Sequence, residues 1–204
     1  MIAVFPPVSL LAAQLFSAHM AQHLLLIAVA APLLVLGGAS ERLRRSAFVR
    51  PPTASVTSWV AFVGTFLFWH WPVAFRWAAQ SLPTELLELG TILSTAFLFW
   101  DVVLSHTNGA NLSYGARALF VMTGAVATDL PGVVMLFAPQ AICTMPGENA
   151  FRWGLTQLQD QEIAGLLMWV PANLVFFSIA IWLFARWISG AGPQHLSTLV
   201  SVIP

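Results

Sequence analysis

Apolar residues in this chain come in long runs separated by short polar segments. A helix that crosses a bilayer needs roughly 17–25 largely apolar residues. Five stretches meet that length, at about 9–37, 56–79, 83–104, 115–138 and 162–188. The first is over-long, which predicts a tilted or partly interfacial segment. Breakers divide the runs: "GGASERLRRSAFVRPP", "QSLP", "SHTNGANLSYG" and "APQAICTMPGENAFRWG". Pro72, Pro131 and Pro171 fall inside runs, which membrane bundles tolerate when neighbours satisfy the freed carbonyls. The pattern predicts an all-α, polytopic transmembrane bundle of about five spans. It forms one integral membrane domain over residues 1–204, with no internal repeat. The closing "SGAGPQHLSTLVSVIP" is too short to span and reads as interfacial. The opening "MIAVFPPVSLLAAQ" lacks a basic n-region and a cleavage signature, so it reads as the start of the first span.

Composition sharpens this picture. Hydrophobic residues make up 58% of the 204 and charged residues only 8%, with a mean hydropathy of +0.81. Soluble domains are about one-quarter charged. The net charge is zero, which argues against a nucleic-acid surface. Cys143 is the single cysteine, so an internal disulfide and a CxxC site are both excluded. All eight basic residues are arginine, and their placement orients the bundle. Arg42, Arg44, Arg45, Arg50, Arg117 and Arg186 fall on one side of a five-span chain, against Arg76 and Arg152 on the other. The richer side is expected in the cytoplasm, giving an N-out, C-in topology in a bacterial cytoplasmic membrane.

Against that background the ionisable residues inside spans stand out, because each is costly in hydrocarbon and is a functional candidate by default. His19 and His23, in "FSAHMAQHLLL", are four residues apart and therefore share one helix face. His70, in "FLFWHWP", lies roughly 13 Å from the outward end of the second span at 1.5 Å per residue. Glu85 and Glu88 occupy the first outward turns of the third span, and Asp129 lies about nine residues from the outward end of the fourth. Asp160 and Glu162 open the fifth, with Met168 about two turns further in. Every span thus offers a donor to the outward half of the membrane. The cytoplasmic half offers only Asp101 and His106, both near a span end and expected to reach water.

Each donor also has an ordinary role. The histidines can serve as interhelical hydrogen-bonding groups. Glu85 and Asp160 suit a helix N-terminus, where the macrodipole favours an anion. Met20 and Met168 can be packing, and Cys143 with Met145 an outward capture pair or nothing more. The convergence in depth favours a metal or cofactor site on His19, His23, His70, Glu88 and Asp129, with Met20, Asp160, Glu162 and Met168 as weaker members. Imidazole suits zinc, copper, iron and nickel, and thioethers tilt the choice towards copper(I). A b-type haem would need two axial imidazoles, which His70 and one of the first pair could supply. A proton or ion pathway is a third possibility, and a structural subunit of a respiratory complex a fourth. Residue chemistry alone leaves these open.

Four segments carry a family resemblance: "FSAHMAQHLLLIAVAAPLLVLGG", "FWHWPVAF", "FLFWDVV" and "DQEIAGLLMWVPANLVF". In this order, from about residue 16 to 180, they resemble the CtaG-type polytopic family of cytochrome c oxidase assembly factors. That family is distinct from the single-anchor copper chaperone sharing the name. The resemblance implies a non-enzymatic role in forming a haem-copper oxidase, with copper as the metal and oxidase subunits or a copper chaperone as partners. His19 and His23 match the family's histidine pair, while Asp160, Gln161, Gly165, Met168 and Trp169 match its last block. Three departures accompany the match. Glu88 stands about where a histidine is expected, "TDLPG" replaces another histidine position, and the chain is shorter than seven-span members. Carboxylates in place of nitrogen ligands suit a harder or more oxidised ion.

Overall fold

The computed structural model describes residues 6–39, 54–104, 112–145 and 149–191. These are 85% helical, with no strand among them. Helix α1 (Pro6–Ala12) precedes α2, which runs over Phe16–Leu36. Then come α3 (Ala54–Trp69), α4 (Pro72–Ala78), α5 (Leu82–Leu104), α6 (Tyr114–Phe137), a 3-10 turn over Asn149–Trp153, and α7 (Gln157–Ala191). Among the described residues four helices are long and apolar enough to cross a membrane, and the bent α3–α4 pair makes a fifth candidate. The tail after 191, the arginine-rich loop around 40–53 and His106 lie outside the described residues.

Two of the expected spans differ from continuous helices. The first is divided at Leu15, which is extended (φ −122°, ψ 131°), so α2 starts afresh at Phe16. The cause is tertiary: the Asp160 carboxylate of α7 accepts the backbone N–H groups of Phe16 (2.7 Å) and Ser17 (3.0 Å). A helix start leaves such N–H groups without internal partners, and here a carboxylate from another span caps them. The second is broken at His70–Trp71, where the chain bends by 80°. Pro72 disfavours helical backbone at the residue before it, and Trp71 is accordingly extended. Pro72 therefore opens α4 instead of sitting within a span. Pro131 and Pro171 do lie inside α6 and α7.

α2 also contains a π-helical turn, Leu26–Ala30, immediately after His23's turn. Ala31 N–H bonds Leu26 O, five residues back. Ile27 O then has only Pro32 as its five-back donor, and Pro32 has no N–H. The indole of Trp100 on α5 fills the gap, donating to Ile27 O at 2.7 Å. Trp100 is fully buried, so this bond also fixes how α2 sits on α5.

The spans close into a ring in which α2 packs on α5 and α7, α3 on α5 and α6, and α6 along α7. The α6–α7 pair is the most extensive, and two glycines explain it. A Cβ on Gly165 would lie 2.6 Å from Gly132 O, and one on Gly132 would lie 3.1 Å from Gly165 O. Small residues let membrane helices approach this closely, gaining dispersion energy where no hydrophobic force acts between them. The ring is filled by Phe62, Phe66, Phe99, Trp100 and Phe176, with Phe62 and Phe99 centroids 4.7 Å apart. Leu33, Phe137, Leu174 and Ile181 point outward, 60–71% exposed, as the lipid-facing surface of such a bundle must.

Candidate metal centre

The starts of α2, α5 and α7 and the ends of α3 and α6 meet at one end of the ring. His19 and His23 project from the first two turns of α2, one helical turn apart, and their rings lie 4.5 Å centroid to centroid. Glu88 projects from α5 between them. His19 Nε2 is 3.3 Å from Glu88 Oε2, and His23 Nε2 is 3.5 Å from Glu88 Oε1. All three side chains are buried, Glu88 completely. None of these nitrogen or oxygen atoms has a hydrogen-bond partner of acceptable geometry. One donor atom from each residue falls within 4.8 Å of the others, enough to hold a metal ion.

Those separations are informative. Ions with imidazole and carboxylate ligands take bonds of about 2.0–2.2 Å, so the edges of a tetrahedron around one are about 3.3–3.6 Å. The two His–Glu distances are of that size but end on different Glu88 oxygens, so an ion shared by both imidazoles would meet the carboxylate through one oxygen or across both. Three protein donors would leave a fourth position open for an exchanging ligand.

His70 lies next to this group, at the α3–α4 break, with its ring 5.5 Å from that of His23. Its Nδ1 is 2.7 Å from Phe66 O. A carbonyl can only accept, so Nδ1 carries the proton and Nε2 is left with a lone pair. That Nε2 is buried and unpartnered. The ring is held flat against Phe66, 4.0 Å between centroids. His23, His70, Met20, Thr128 and Met168 all border one cavity of about 30 Å³. His70 also borders a second, largely apolar cavity of about 540 Å³ lined by residues that include Trp71, Leu130 and Cys143.

The remaining sequence candidates are placed elsewhere. Asp129 is half-buried and accepts from Asn173 Nδ2 of α7 at 2.8 Å, apart from the His–Glu group. Asp160 caps α2, as described. Glu162 is half-buried on the first turns of α7, and Glu85 likewise on α5. Asp101 is fully buried and does not reach water, contrary to its expected position near a span end. Its helix continues to Leu104, and the ring packs around that turn.

Gln161, to which sequence position assigned only a place in the "DQ" block, is a second clasp. Its Oε1 accepts from Ile142 and Cys143 backbone N–H groups, and its Nε2 donates to Met135 O at 2.9 Å. The adjacent pair thus ties α7 to the start of α2 and to the loop leaving α6. Two consecutive polar residues opening an apolar run were the available signal, since neighbours on a helix diverge by about 100° and can serve two partners. Cys143 is buried beside this clasp. Burial pushes its thiol from 9.0 up to about 11, with the charge of Arg76 pulling weakly the other way. A neutral thiol is a poor metal ligand, because the thiolate is the ligating form.

Fold and site together define a polytopic membrane helix bundle with a buried histidine–carboxylate cluster near one end. The chain belongs to the cytochrome c oxidase caa3 assembly factor family (Caa3_CtaG), whose family model matches residues 1–190. No curated protein and no solved structure shows significant similarity to it.

Proposed function

We propose that this membrane assembly factor handles copper for a haem-copper oxidase, holding the ion transiently on His19, His23 and Glu88. The observation that carries this reading is the convergence of three buried donors, one atom from each within 4.8 Å of the others, without well-formed hydrogen bonds among the facing atoms. Buried polar atoms normally find partners, so a set left without them is best accounted for by an ion. Membership in an oxidase assembly family makes the copper of the oxidase the natural cargo. The open fourth position suits an ion that must be handed on to a partner. No reaction on the cargo is needed, so the reading is non-enzymatic. With the bent α3–α4 pair counted as a span, the six-to-two arginine split supports a site in the outward half of a bacterial cytoplasmic membrane, on the side of the partners that would receive copper.

A b-type haem is the less favoured reading. The space bordered by both His23 and His70 is only about 30 Å³, the size of an ion or a water molecule and far below that of a porphyrin. Metal analysis and a visible spectrum of the purified full chain, with and without added copper, test the choice. The expected result is about one retained copper per chain and no Soret band. A stoichiometric Soret band, or copper no higher than in a mock preparation, would overturn the reading.

A further inference from the structure

The His–Glu group accounts for His19, His23 and Glu88 and leaves the neighbouring cavity unexplained. Two methionines and two histidines are among the residues that line it: Met20 and His23 from α2, His70 from the α3–α4 break and Met168 from α7. Both methionines and both histidines are buried. Met20 and His23 are three residues apart and so share a face of α2, just as His19 and His23 do at four. His23 therefore stands at the junction of two donor sets. His70 is prepared as a ligand: its Nδ1–H is spent on Phe66 O, which fixes the tautomer and leaves Nε2 free. Metal-ligating histidines generally show this backing bond. Met168 is positioned by the glycine contact of α6 and α7, its Cβ lying 3.2 Å from where a Cβ on Gly132 would be.

We infer that Met20, His23, His70 and Met168 form a second metal site, selective for copper(I), which shares His23 with the His19–His23–Glu88 site. The inference rests on the copper-handling reading above and adds the oxidation state and the route. Thioethers select copper(I) over divalent ions. Charge points the same way, since all four donors are neutral and a buried divalent ion would face a larger uncompensated desolvation cost than a monovalent one. The first site includes a carboxylate and compensates a second positive charge. With His23 common to both, a copper(I) ion can move between the sites by exchanging its other ligands one at a time. Neither the ion nor the protein changes oxidation state in that movement.

The test uses the purified full chain in detergent under anaerobic conditions, titrated with copper(I) against a chromophoric chelator and separately with zinc(II). X-ray absorption at the copper edge reports the ligands. The wild type is expected to show sulfur scattering, and Met20→Leu/Met168→Leu to lose it. The double variant should also bind copper(I) at least tenfold more weakly, with its preference for copper(I) over zinc(II) falling by a similar factor. Leucine conserves the volume, so packing is retained. Absence of sulfur scattering in the copper(I)-loaded wild type overturns the second site even if the variant fails to fold. An unchanged copper(I) affinity in a folded double variant does the same, and in both cases the His–Glu site stands. A wild type that binds no copper in either oxidation state overturns both readings.

Discussion

Two sets of buried polar groups lie at the same end of this bundle, and they are built on opposite plans. Asp160 and Gln161 are fully engaged: the carboxylate takes two backbone N–H groups, and the amide takes two more and donates to a carbonyl. His19, His23 and Glu88 are equally buried, yet the Nε2 atoms of both histidines and the two Glu88 oxygens face one another without a well-formed hydrogen bond. Interhelical glue looks like the first set. Hydrocarbon surroundings make an unsatisfied polar atom expensive, so a set built this way is compensated either by a proton shared between imidazole and carboxylate or by the ion proposed above. Gly132 and Gly165 make the same point from the apolar side, because α6 and α7 are joined by close backbone contact without recourse to these histidines.

The contrast can be broken most forcefully at Asp160. Replacing it with alanine leaves two buried backbone donors at the start of α2, each losing a bond to a charged group worth about 1.5–3 kcal/mol. Asp160→Ala should therefore lower stability by about 3–6 kcal/mol, seen as loss of the folded chain from membranes or an earlier thermal transition. The surviving folded fraction should retain its copper. Wild-type stability together with lost copper would move Asp160 from the clasp into the site.

His23→Ala should do the reverse. It removes a donor from both proposed sites, so copper affinity should drop by about 100-fold or more, at least the upper cost of disturbing an outer-shell partner. Membrane abundance should be unchanged, while the copper content of the partner oxidase falls. Should abundance fall and copper per folded chain persist, the histidines would be glue after all. Glu85→Ala belongs in the same experiment as a control. Its half-buried carboxylate lies in the first turn of α5, where the dipole accounts for about 0.3–1 kcal/mol, and copper affinity should move less than about twofold.

Cys143 sharpens the closed side of the comparison. With its thiol at about 11 against an ordinary 9.0, the thiolate population at pH 8 is about 100-fold lower than in an unfolded chain. Alkylation of the native protein at that pH should be slower by at least that factor. It should then rise about tenfold per pH unit until the thiol titrates near 11. Rapid labelling at neutral pH would mean the Gln161 clasp opens readily. In that case the pair of Cys143 and Met145 would return as a capture site.

Much of this molecule was legible without its tertiary structure. Hydropathy is a local sum over about twenty residues, so the runs later found as α2, α5, α6 and α7 could be located along the chain. Depth was legible only along unbroken helices, where a fixed rise per residue converts a position into a distance from the end. For His70 the 80° bend that follows it removes the straight segment along which its roughly 13 Å was counted. That arithmetic brought His19, His23, His70, Glu88 and Asp129 to one level. Rotation about each helix axis was not legible. Thr128 borders the cavity while Asp129, one residue and about 100° further round, turns to Asn173 on α7. The division of the first run at Leu15 also came from outside it, from a carboxylate 144 residues away from Phe16. The break at His70 was signalled by Pro72, but the direction of its 80° bend depends on what α4 packs against. Depth follows from counting along one helix, whereas azimuth is set by which faces interlock. In this ring that choice rests on contacts such as Gly132 on Gly165 and Trp100 on Ile27, which join residues far apart in the chain.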